Sequence, residues 1–147
     1  MNAIDCATER VGELRQEVRV RAHVLHADVG EDLGGHDSAP GPHDYFDAAL
    51  AACKTLTAMW YAKKNGIPLD RVEAHVERDA SEERNRRYKL KVHLAFHGPL
   101  TDEDRSRIHA AVARCPVHKL MTSSDVVIET VPLEVSGESA SLSGRTS

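Results

Sequence analysis

Three cysteines and nine histidines are the side chains in this sequence best suited to redox or metal chemistry. Cys6, Cys53 and Cys115 lie 47 and 62 residues apart. A secreted disulfide scaffold would show an even and denser set. No C-x-x-C pair supports a zinc ribbon or a thioredoxin-type motif. In a reducing compartment such cysteines are either packing residues or reactive thiols, and free cysteine is among the most buried residue types. Cys53 ends the stretch A-A-L-A-A-C in mid-helix, shielded from water, where packing is the plainer reading and a thiolate would be costly to desolvate. Cys115 stands in R-C-P-V-H-K, where one helix stops and another can start. Amides exposed at a helix start favour a thiolate, and Arg114, His118 and Lys119 bring positive charge nearby. Asp44 follows Gly41-Pro42-His43 in the first turn of a helix, where an acid suits the dipole with or without a further role. Cys53 and Cys115 with some of His36, His43 and His118 would also suit zinc, although no two of them stand at a helical i, i+4 step.

The elements that must position these groups can be read from hydropathy. Glu17–Arg21 alternates polar and apolar and predicts a strand, with Val24–Val29 as its partner. Residues 1–12 show no period. Gly30–Pro42 holds four glycines and two prolines in 13 residues and is a long loop of the kind that is often functional. A helix is expected from about Asp44 to Asn65. Phe46, Ala49, Leu50, Cys53, Leu56, Thr57 and Trp60 would share one face, and so apolar a helix would be buried on most sides. Lys63, Lys64, Gly66 and Pro68 stop it.

Val72–Asp79 and Tyr88–His97 read as two strands, the second with Leu90, Val92, Leu94 and Phe96 on one face. Thr101 caps a helix carrying Asp102, Glu103 and Asp104 in its first turn and Ile108, Ala111, Val112 and Cys115 on its apolar side. Val126–Val135 is expected to form a last strand, at an edge or a bulge because of Pro132. The order ββ-α-ββ-α-β is an α+β arrangement. A single domain is expected over 1–135, followed by a polar, disordered tail over 136–147.

Composition narrows the functional classes. The 147 residues are 41% hydrophobic and 29% charged, an ordinary globular mixture. A net charge of −4 argues against a nucleic-acid partner, which would call for a basic face. No run of 18 apolar residues predicts a membrane span, and the start has no signal-peptide pattern, so a cytoplasmic protein is expected.

Three strings taken together carry a resemblance: G-P-H-D-Y-F-D-A-A-L-A-A-C-K-T-L-T-A-M-W-Y-A over 41–62, G-I-P-L-D-R-V-E over 66–73, and R-C-P-V-H-K over 114–119. They resemble the OsmC/Ohr superfamily, the osmotically inducible protein C and organic hydroperoxide resistance proteins, over roughly residues 14–135. L-G-G-H-D-S-A-P-G-P is most similar to the OsmC-like branch. The resemblance implies two sheets around a long buried central helix, an intertwined homodimer with its sites at the subunit interface, and thiol peroxidase chemistry on organic hydroperoxides. It implies Cys53 as the peroxidatic and Cys115 as the resolving cysteine, with Asp44 as the acid beside them. A dithiol reductant such as a lipoylated protein would restore the pair, with no cofactor and no metal.

The sequence departs from the peroxidases at two points. The loop over 30–42 has no arginine to assist the thiolate. Asp44 lies one residue nearer Cys53 than the glutamate those enzymes use, and His43 fills that slot. Arg19 and Arg21 are not aligned with the missing arginine by any motif. The alternative is an OsmC-like protein without peroxidase activity that binds a small hydrophobic ligand at the dimer interface.

Overall fold

The structure is a computed structural model that describes residues 3–134. Three antiparallel strands come first: β1 (Ile4–Thr8), β2 (Gln16–Val20) and β3 (His23–Ala27), in the order β1-β2-β3. The β2–β3 hairpin agrees with the alternation around Glu17–Arg21, and its turn places Arg21 at φ 54°. β1 is an addition. Its I-D-C-A-T shows no alternation, and only its pairing with β2 makes it a strand. No residue of this sheet is buried.

The glycine-rich loop folds around Asp28, a buried carboxylate. Its oxygens accept the backbone N–H groups of Val29, His36 and Ser38 and the Ser38 hydroxyl. These four donors hold the Asp28 carboxyl far below the usual carboxylate range, with the Ser38 hydroxyl contributing most. Gly35 passes so close that a Cβ there would lie 2.2 Å from the Val29 carbonyl oxygen.

The long helix α1 (Pro42–Lys64) opens with Pro42 at its first position, and Asp44 accepts the Gly41 N–H at 2.8 Å. It buries Asp47, Leu50, Lys54, Ala58 and Ala62. This corrects the face expected from hydropathy. Phe46, Leu56 and Trp60 are exposed, and the helix is covered on one side rather than on most. The rotation brings two charged residues inward, and each has partners there.

Gly66 at φ 65° turns the chain toward Ile67 and Leu69. The hairpin of β4 (Arg71–Asp79) and β5 (Lys89–His97) follows, pairing Val72 with Phe96 and Ala74 with Leu94. The half-buried faces of these strands meet α1, and α2 (Asp102–Ala113) closes the core. Thr101 caps α2, its Oγ1 accepting the Asp104 N–H at 3.0 Å. Ala58 and Ala62 let α2 approach, so that Ile108 and Val112 pack fully buried with Ile67 and Leu69.

Cys115 then leads into α3 (Pro116–Ser123). The observed order is βββ-α-ββ-α-α, an α+β fold with two antiparallel sheets. The strand expected at Val126–Val135 is absent over its described part, residues 126–134. A strand needs a neighbour's backbone to satisfy its own, and none of the described strands pairs with it. Val126, Val127, Ile128, Val131 and Leu133 are left exposed. The expected polar tail lies outside the described residues.

Candidate active site

Cys53 sits midway along α1, one turn beyond buried Leu50 and beside buried Lys54. Its sulfur lies 4.0 Å from the Thr57 hydroxyl and accepts the Val117 N–H at 3.5 Å. Val117 is in the first turn of α3, where backbone N–H groups have no partner within the helix and carry partial positive charge. Cys115 is the residue that precedes that turn, and it is 1% exposed. The Val117 contact sets Cys53 against the turn that Cys115 opens, and neither cysteine is in a disulfide. The fold thus brings together two of the residues singled out in the sequence, 62 positions apart. Cys53 is half-buried rather than shielded as expected, whereas Cys115, placed on the apolar side of its helix, is enclosed.

The residue that hydropathy missed is Lys54. It is 5% exposed. Its Nζ donates to the carbonyls of Val112 at 2.8 Å and Ala113 at 3.2 Å, and lies 3.3 Å from His118 Nδ1. An ammonium has three N–H donors, and here each meets an acceptor. Two of these are carbonyls at the C-terminal end of α2, where the dipole favours a cation. The signal in the sequence was a lysine four residues after Leu50 and four before Ala58, in register with the buried face.

These neighbours act on the Cys115 thiol in opposing directions. Burial pushes the Cys115 thiol up, the His118 amide pulls it back, the Cys53 thiol raises it, and the Lys54 ammonium lowers it. His118 is held below its ordinary value by burial first, then by Lys54 and Arg114. The imidazole is therefore neutral at pH 7, and Nδ1 is free to accept from Lys54.

Asp44 lies at the start of the same helix, about 13 Å along the axis from Cys53 at 1.5 Å per residue. Its partner is Arg78 of β4, whose Nη2 donates to Asp44 Oδ1 at 2.8 Å and whose Nε donates to Asp47. Tyr88 donates its hydroxyl to the other oxygen of Asp47 at 2.8 Å. Arg78 and the Gly41 amide hold the Asp44 carboxyl down, and burial with the Asp47 bond pushes the Tyr88 phenol up. The acid that opens the helix is thus paired with an arginine of β4 that the sequence analysis did not single out. Arg19 instead pairs with Glu17.

Between these two groups lies a cavity of about 490 Å³. Phe46, Leu50, Leu90 and Met121 supply apolar walls, Arg86 and Lys89 line it with positive charge, and His118 joins it to the Lys54 cluster. The residues of the zinc alternative do not all converge here. His118 does, whereas His43 pairs with Glu83 at 2.7 Å. Among the described residues, the grouping with metal-ligand spacing is Glu9, Glu17 and His26 on the first sheet. Arg15 and Arg19 already pair with its two glutamates. Among the described residues, no helix is long and apolar enough to cross a membrane.

Residues 35–131 match the family described as OsmC-like protein. A Psychrobacter arcticus protein with a provisional osmotic-stress and detoxification name has a similar crystal structure, with a TM-score of 0.68 at 22% identity over 84% of this chain and 90% of that one. An OsmC-like protein from Mycoplasma pneumoniae gives a TM-score of 0.67 at 16% identity, over 84% and 88% of the two chains. An organic hydroperoxide resistance protein OsmC from Legionella pneumophila gives 0.59 at 21% identity, over 84% and 90%. No curated protein matches the chain. At these identities the three structures establish a common fold.

Proposed function

Because this chain belongs to the OsmC-like protein family, we propose that it is a thiol-dependent reductase of organic hydroperoxides, with Cys53 as the attacking and Cys115 as the resolving cysteine. The observation that carries this reading is that Cys53, free of any disulfide, meets the α3 turn opened by Cys115, also free, while His118 of that turn lines a cavity with apolar walls. The Cys53 thiolate attacks the distal peroxide oxygen. The O–O bond breaks, the alcohol leaves with a proton, and Cys53 becomes a sulfenic acid. The Cys115 sulfur displaces water from it and closes a disulfide. A dithiol, such as a lipoyl group carried on a protein, returns two electrons.

The parts of the site fit these steps. The Val117 amide donates to the Cys53 sulfur and fixes its position beside the turn that follows Cys115. The apolar walls suit an organic peroxide body and keep water from the sulfenic acid. Asp44 and Asp47 hold Arg78, and through Asp47 they fix Tyr88, which lines the same cavity. Asp44 is read here as a positioning acid, with Arg78 as the arginine of the pair.

A homodimer belongs to the proposal. Leu56 is 69% and Trp60 60% exposed on the outer side of α1. The first sheet has no buried residue, and the run over 126–133 is unpaired among the described residues. A second copy would cover surfaces of this kind.

Titration of the reduced protein with cumene hydroperoxide, with free thiols counted, tests the reading. One equivalent of peroxide is expected to consume two thiols in the wild type and none in Cys53→Ser. Peroxide consumption by Cys53→Ser at the wild-type rate would overturn the assignment. The same cavity suits a bound hydrophobic molecule. A co-purified small-molecule adduct in native mass spectra, with no peroxide turnover, would favour a ligand-binding role.

A further inference from the structure

Two neighbouring residues of α1 meet two neighbouring residues of α3. The Val117 N–H reaches the Cys53 sulfur at 3.5 Å, and Lys54 Nζ lies 3.3 Å from His118 Nδ1. The second contact fixes the state of an imidazole that lines the cavity described above. Lys54 gives two of its N–H groups to the Val112 and Ala113 carbonyls, so the third goes to Nδ1, which must accept it. A ring nitrogen that accepts carries no proton, and in a neutral imidazole the proton then sits on Nε2. The charged side chains that line the cavity, Arg86 and Lys89, are cations, as are Lys54 and Arg114 near the ring, so a second proton is resisted. Among the described residues the ring is bonded through Nδ1 alone, and no buried side-chain nitrogen is left without a partner, so Nε2 is reached from the cavity. Leu50, one turn before Cys53 on α1, lines the same cavity. The corner at Leu50 and His118 is therefore the part of the cavity next to the thiol.

We propose, resting on the peroxidase reading above, that His118 is a catalytic residue that donates its Nε2–H to the alkyl-bearing oxygen of the bound hydroperoxide, and that Lys54 is the positioning residue that holds the proton on Nε2. When the Cys53 thiolate attacks the distal oxygen, an S–O bond forms and the O–O bond breaks. The electron pair of the O–O bond passes to the alkyl-bearing oxygen, where negative charge develops. A donor aimed at that oxygen stabilises the transition state more than the bound peroxide, whose oxygens are uncharged. A neutral imidazole can play this part, and the ring keeps its proton throughout. The alkoxide becomes the alcohol with the proton that the Cys53 thiol released to solvent on ionising. Sulfur is oxidised by two electrons and the peroxide is reduced by two. The apolar walls keep competing water from the hydrogen bond and so strengthen it.

The tautomer is read first, on reduced protein carrying nitrogen-labelled histidine. Long-range proton–nitrogen correlation spectra at about pH 7 are expected to show His118 with its proton on Nε2 and a bare Nδ1, its signals identified by their loss in His118→Gln. A proton on Nδ1, or on both nitrogens, overturns the proposal. Lys54→Met is expected to give a mixture of tautomers, and an unchanged tautomer there overturns the role given to Lys54. Single-turnover oxidation of Cys53 by cumene hydroperoxide is then followed in a Cys6→Ser background, because Cys6 is exposed and would report a third thiol. His118→Phe is expected to slow it about a hundredfold, the cost of removing one donor to a developing oxyanion, and His118→Gln, which keeps an N–H donor, to recover most of that loss. Alkylation of the same sulfur by iodoacetamide expels iodide, which needs no such donor, and is expected to keep its wild-type rate in His118→Phe. Equal slowing of both reactions, or of neither, overturns the proposal and leaves the peroxidase reading in place. Should His118→Phe fail to fold, the wild-type tautomer still decides. A wild-type Cys53 that cumene hydroperoxide does not oxidise ends the peroxidase reading and the proposal with it.

Discussion

Lys54 Nζ lies 2.8 Å from the carbonyl oxygen of Val112, inside the corner where α2 gives way to α3. The contact joins the residue beside the half-buried thiol to the end of the helix that leads into the enclosed one. It ties the backbone around Cys115 to α1 by a charged hydrogen bond, stronger than a neutral one.

Removing that tie has a predictable cost. Lys54→Ala leaves two α2 carbonyls and His118 Nδ1 without their donor. Urea denaturation is expected to show a loss of about 2 kcal/mol, the range of a charged hydrogen bond, with the midpoint lowered and the slope unchanged. An unchanged midpoint would show that water replaces the ammonium without penalty.

Asp28 predicts an acid limit for the loop that precedes α1. Its carboxyl is held below the usual range in the folded state by Ser38, Val29 and His36. A lowered folded-state value stabilises the fold above the ordinary carboxylate pKa of about 3.9, and that gain is lost as the pH falls below it. Asp28→Asn is therefore expected to be less stable than wild type at pH 7. The gap in urea midpoint should narrow steadily below about pH 4, where wild type also takes up the proton. A gap that is constant with pH would show that shape rather than charge organises the loop.

Trp60 and Leu56 predict association. Trp60 is the one tryptophan of the chain, so its emission reports its own surroundings. If a second copy covers α1, dilution is expected to move that emission to longer wavelength as dimers separate. A Leu56→Glu, Trp60→Glu variant is expected to sediment as a monomer. A wild type that sediments as a monomer throughout would remove the second copy from the proposal.

Much of the fold is legible from local pattern. The alternation in β5 and the Thr101 cap each depend on residues a few positions apart, and each is found where the pattern puts it, while α1 starts at Pro42, two residues before the expected Asp44. β1 and the run over 126–133 fail for one reason. Whether an extended segment becomes a strand depends on a partner backbone. β1 has one in β2, whereas the run over 126–133 has none among the described residues.

The residue types of the site were equally legible. Two cysteines, an acid opening the helix and a cation-rich turn after Cys115 can be found by inspection, and their pattern carries the family resemblance. The buried side of α1 was not. Hydropathy sends Asp47 and Lys54 to water, because it assigns each residue a cost without its partners. Asp47 meets Arg78 and Tyr88, and Lys54 meets two carbonyls and an imidazole, all more than 30 residues distant. A buried charge is tolerable only when such partners converge on it. Chain order alone therefore determined which groups were available for chemistry. Tertiary structure decided which thiol is enclosed, which cation stands near it and which arginine meets the acid, because those are matters of distance between residues far apart along the chain.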